Sequence, residues 1–131
     1  MPEPIEPWSI DRSLSTYGIP RWGSGYFGVN PAGNMTVRPM NGAGAEIDLV
    51  KVATRARERG LNYPLLVRFH DLLRHRVRAI NEAFADAIKS ARFKGSYRGV
   101  FPIKVNQMRE VVEEILDAGE PFHFGLEVGS K

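Results

Sequence analysis

The apolar residues Leu73, Val77, Ile80, Phe84 and Ile88 recur in steps of four, three, four and four. That stripe constrains the fold more than any other feature, because it fits only a long helix with one buried face. It predicts a helix over residues 72–90, with Asp71 placed to cap its start. Short apolar runs bracket it, Leu65-Leu66-Val67-Arg68-Phe69 before and Gly99-Val100-Phe101-Pro102-Ile103 after, and each reads as a strand. Met108, Val111, Val112 and Ile115 then predict a second helix closed by Gly119, and residues 121–128 read as a third strand. Strand, helix, strand, helix, strand, with connections of this length, is the pattern of an α/β fold with a parallel sheet.

The first half of the chain reads differently. Ser9, Asp11 and Arg12 mark the start of a short helix carrying Ile10 and Leu14 and ending near Gly18. Residues 26–29 and 35–38 flank the turn Asn30-Pro31-Ala32-Gly33-Asn34 and predict a β-hairpin. Ile47, Val50, Thr54 and Arg57 fall at helical spacing, with Gly60 as the residue beyond the helix end. The glycines of residues 21–29 read as too irregular for a dinucleotide fingerprint, so that neither a GxGxxG nor a GxxxxGK[ST] phosphate cradle is expected.

Composition removes several function classes. With no cysteine in 131 residues, the chain can offer no disulfide, thiolate metal site or thiol nucleophile. Its acidic, proline-rich start, read as a flexible lead-in to about Pro7, does not resemble a secretory signal. No apolar run is long enough to span a membrane. A cytoplasmic protein is expected. The net charge is +3, but residues 51–94 hold eleven Lys or Arg against four Asp or Glu, so a basic nucleic-acid-binding module is an alternative to weigh. Helical periodicity spreads these cations over several faces, and no aromatic residues interleave with them as a stacking platform requires.

The chemistry concentrates at Lys104. An apolar run delivers this lysine to the end of a strand, and Asn106-Gln107 then opens a helix, the position where α/β folds hold their reactive groups. Partial desolvation there would favour a neutral amine able to attack a carbonyl. The residues alone leave two readings, a Schiff-base lysine or a lysine capping a strand in solvent. Period-two alternation puts Lys104 on the side of Pro102 and Val100, and in the last strand it groups Glu127 with Gly125 and His123. Phe101, Ile103, Phe122, Phe124 and Leu126 then face the helices. Pro102 counts against a regular inner strand, since it cannot donate to the ladder. His123, between two phenylalanines, reads as a hydrogen-bonded core histidine. His70 and His75, five apart, do not share a helical face as metal ligands would, and Ser130 beside Lys131 is set aside.

The run Phe101-Pro102-Ile103-Lys104-Val105-Asn106-Gln107 resembles the pyridoxal-phosphate lysine motif of biosynthetic arginine decarboxylases. Arg21-Trp22-Gly23-Ser24-Gly25-Tyr26-Phe27, residues 65–69 and Gly125-Leu126-Glu127-Val128-Gly129-Ser130-Lys131 look like the same family in the same order. More distantly, Phe101, Lys104 and Asn106 resemble the F-x-x-K-x-N pattern of ornithine and diaminopimelate decarboxylases. The resemblance implies an α/β fold, the N-terminal part of a PLP-binding (β/α)8 barrel, with residues 1–64 as a hairpin-and-helix extension and 65–131 as the start of the barrel. It implies that Lys104 binds pyridoxal 5'-phosphate covalently, that Glu127 lies near the cofactor, and that L-arginine is decarboxylated to agmatine for polyamine synthesis. Mg2+, with no ligand assignable here, and a homo-oligomeric full-length protein are implied as well. A complete barrel takes about 250 residues, so the chain is expected to be an N-terminal fragment, inactive alone. A non-catalytic PLP-binding protein is the other alternative.

Overall fold

The computed structural model describes residues 7–129. The expected lead-in before Pro7 and the Ser130-Lys131 pair lie outside the described residues. The chain divides into two compact units, Met1–Val67 and Arg68–Lys131.

In the first unit the Ser9 hydroxyl accepts from the Arg12 amide and opens α1 (Ile10–Thr16), which is followed by the single turn α2 (Ile19–Trp22). The expected hairpin forms: β1 (Phe27–Val29) pairs antiparallel with β2 (Met35–Val37), Phe27 opposite Val37. Ile19, Tyr26, Thr36 and Val37 are its buried residues. Ile47 departs from expectation. It lies in a two-residue strand β3 (Ile47–Asp48) opposite Val37, and α3 (Leu49–Glu58) begins after it. Asp48 is the reason. Its backbone is extended, and its Oδ1 accepts from the amides of Val50 and Lys51, so the helix starts at Leu49. Its Oδ2 accepts from the side-chain amides of Asn30 and Asn34, tying the hairpin turn to the helix cap. These bonds, that from Asn34 foremost, hold the Asp48 carboxyl below the usual range.

The second unit holds α4 (His70–Ser90), β4 (Val100–Pro102), α5 (Arg109–Gly119), a 3-10 turn (Glu120–Phe122) and β5 (Gly125–Glu127). β4 and β5 pair in parallel, Phe101 opposite Leu126 and Pro102 opposite Glu127. Val77 of α4 and Val111 and Ile115 of α5 form the core, with Leu73, Phe101, Ala118 and Phe124 packed on it. Phe101 and Phe124 therefore turn towards the helices, as the alternation predicts.

Four sequence expectations fail, one where the two units join and three in the second. Residues 65–69 are not a strand, since no described segment pairs with them and Leu66 and Val67 are exposed; an apolar run becomes a strand only where a neighbour completes its ladder. Phe69, not Asp71, is the N-cap of α4, and Asp71 falls in the first turn, where its charge favours the helix dipole. The stripe of α4 is buried only in part: Ile80 and Phe84 are exposed, with Phe84 stacked on Tyr97 at 3.8 Å between ring centroids. His123 ends the 3-10 turn at φ 54° and is exposed, so it is neither a strand residue nor a core histidine. The whole is mixed α/β with two small sheets, neither closed among the described residues.

Candidate functional site

Lys104 and Glu127 meet. The parallel register continues one residue beyond β4, where the Ile103 amide donates to the Glu127 carbonyl at 3.1 Å. Lys104 follows in the turn leaving β4, two residues beyond Pro102, which is the register partner of Glu127 at the end of β5. Its Nζ donates to Glu127 Oε1 at 3.1 Å and lies 3.0 Å from Oε2, so both carboxylate oxygens face one ammonium. Proline at 102 does not prevent the pairing: the strand takes its partner on one edge, and the Pro102 carbonyl accepts from the Val105 amide to make the turn that presents the lysine. Asn106 Oδ1 accepts from the Met108 amide and leads into α5.

The lysine is less enclosed than its apolar run suggests. Its side chain is 55% exposed and that of Glu127 35%, because two short strands cannot wall it in. Gly129 lies against it, with φ +77° and no side chain where a Cβ would stand 2.8 Å from Lys104 Cδ.

The remaining polar residues of this unit gather elsewhere. Glu114 of α5 accepts from Arg74 Nε and lies 3.2 Å from His70 Nδ1, both on α4, while Arg74 also approaches Asp117 at 3.8 Å. The Arg74 guanidinium foremost, and His70 after it, hold the Glu114 carboxyl below the usual range. Residue spacing alone does not reveal this clamp, because it depends on which faces of α4 and α5 meet. His123 stands at the other end of β5 from Glu127 and lines an open cleft of about 360 Å3 with Asn81, Ile88 and Tyr97 among others. No group of three His, Asp or Glu residues suited to a metal ion occurs among the described residues. The spacing of Gly23, Gly25 and Gly28 does match G-x-G-x-x-G, but it runs from α2 into β1. A phosphate-binding turn runs from a strand into a helix, so these are hairpin glycines.

No protein-family model matches the chain. Curated relatives do. The biosynthetic arginine decarboxylase of Prochlorococcus marinus subsp. pastoris is 47% identical over 124 residues, 95% of this chain and 19% of that protein. Arginine decarboxylase 1 of Oryza sativa subsp. japonica is 51% identical over 133 residues, again 95% and 19%. The biosynthetic arginine decarboxylase of Gloeobacter violaceus is 43% identical over 127 residues, 97% and 20%. The chain is thus similar to proteins named arginine decarboxylase. It spans about a fifth of the length of the decarboxylases it matches. Lys104, Glu127 and Gly129 fall in two of the four stretches whose residues resemble this decarboxylase family.

Proposed function

We propose that this chain supplies the lysine-bearing part of a pyridoxal 5'-phosphate-dependent arginine decarboxylase, which takes up a proton and converts L-arginine into agmatine and CO2. The observation that carries the reading is the Lys104–Glu127 pair, at the carboxyl ends of two parallel strands in a chain similar to proteins named arginine decarboxylase. Such strand ends are where α/β folds carry out their chemistry. A half-exposed primary amine, held but not buried, suits covalent attachment of an aldehyde cofactor, so the residues present fit the group. When bound, pyridoxal phosphate supplies the electron sink that decarboxylation needs and side chains lack.

The chain's own residues have simpler tasks. Lys104 is the anchor. Glu127 accepts the lysine's N–H hydrogen bond, with both oxygens within reach, keeps Nζ directed at the strand ends and would place negative charge beside a cationic ring. The (β/α)8 barrel, the Mg2+ requirement, a homo-oligomeric whole protein and a cytoplasmic location belong to the same proposal; no described residue is assigned to the metal. The arginines of residues 51–94 do not favour a nucleic-acid partner: Arg74 is held by Glu114, and Arg76 lies on the far side of α4 from Arg74 and Arg78.

The test is to incubate the chain with pyridoxal phosphate, reduce with borohydride and map the modified peptide. The label is expected at Lys104 and to be lost in Lys104→Arg. Labelling spread over the surface lysines, unchanged in Lys104→Arg, would refute the assignment. In the whole protein, Lys104→Ala is expected to abolish agmatine formation.

A further inference from the structure

The feature that the pairing of Lys104 with Glu127 leaves unexplained is the glycine that the lysine lies against, Gly129. A Cβ at Gly129 would stand 2.8 Å from Lys104 Cδ, 3.2 Å from its Nζ and 3.2 Å from Glu127 Oε1. The lysine thus reaches its partner by lying across a backbone position that has no side chain. We propose that Gly129 is a positioning residue for the Lys104 amine, its missing side chain keeping open the course along which Lys104 crosses to Glu127. This rests on the reading above in taking Lys104 as the reacting amine.

Two properties of the contact give the proposal its content. The atoms that a methyl group would meet are the far end of a flexible side chain and a carboxylate oxygen, not backbone. The lysine can therefore swing away, and substitution moves the amine rather than breaking the strand pair. The φ of +77° adds backbone strain for an ordinary L residue, so strain and displacement must be separated. Gly60 makes that possible. It has nearly the same φ, +84°, with nothing within 4 Å of its would-be Cβ, so Gly60→Ala carries strain and no contact with the lysine. Gly129→Asn carries the contact with less strain, because asparagine tolerates left-handed backbone.

A carbodiimide activates a carboxylate and couples it to an amine with no spacer, releasing a urea, so the yield of the Lys104–Glu127 amide, read by peptide mass spectrometry, reports how closely the two groups are held without any cofactor. Gly129→Ala and Gly129→Asn are both expected to lower that yield about fivefold, as a contact pushed beyond hydrogen-bond reach should, while Gly60→Ala leaves it unchanged. Wild-type yield in the two Gly129 variants would overturn the proposal, as would an equal loss in Gly60→Ala. Borohydride trapping with pyridoxal phosphate on the same proteins keeps the two readings apart. Cross-linking that responds to Gly129 in a chain that traps no cofactor at Lys104 would refute the cofactor assignment and leave the positioning role standing.

Discussion

Glu114 lies between Arg74 and His70 of α4 and fixes its own helix, α5, to theirs. Its charge is what makes the grip, and the Arg74 hydrogen bond holds its carboxyl below the usual range. A carboxyl whose folded pKa is lowered stabilises the fold above its unfolded pKa, about 4.3 for glutamate, and loses that contribution as pH falls through the folded value. Asp117 beside Arg74 and Asp71 in the first turn of α4 reinforce the same cation. Glu114→Gln is therefore expected to lower the melting temperature at neutral pH, and the gap to wild type should close as the pH is taken below the carboxylate range. Thermal melts across that range check this; an undiminished gap in acid would refute it. The Glu127 contact was legible in the sequence, because two parallel strands ending near Lys104 and Glu127 bring those two residues to the same end of the sheet. The Glu114 clamp and the space at Gly129 were not, since each depends on how segments far apart in sequence approach one another.

Helices declare themselves along the chain more plainly than strands do, and the second unit shows why. Val111, Val112 and Ile115 can be read as one face because three- and four-residue steps are a local property, and all three are buried. Residues 65–69 carry the same apolar character as β4 but find no ladder partner, and nothing within the five residues distinguishes the two cases. Asp48 and His123 mark the other limit: a single capping carboxylate and a single left-handed residue each moved an element boundary that apolar patterning had placed elsewhere. The legible helix is also the one that matters for the site, since Ile115 sits in the core on which Phe101 of the lysine-bearing strand packs. Ile115→Ala is expected to destabilise the unit by about 2–4 kcal/mol, the cost of a core cavity of that size. Denaturant melts followed by circular dichroism measure it. A loss well under 1 kcal/mol would mean that the helix pair relaxes into the space.

At the scale of the molecule, the pairing of Lys104 with Glu127 and the exposure of both pull in different directions. The amine and carboxylate are in place, yet the sheet carrying them has two strands and is open, and the lysine side chain is 55% exposed. Catalysis of decarboxylation requires fixed charges working where water is excluded, because the same interactions are worth several times less in bulk solvent. The decarboxylases that resemble this chain are about five times its length. On the proposed function, the 131-residue chain should therefore separate cofactor attachment from turnover. It is expected to trap pyridoxal phosphate at Lys104 under borohydride, since that needs only an accessible amine, but to form agmatine from arginine no faster than pyridoxal phosphate does free in solution. Measuring both on one preparation decides the matter: agmatine above the free-cofactor rate, abolished by Lys104→Ala, would show that this lysine and its carboxylate need no enclosing walls to catalyse the reaction.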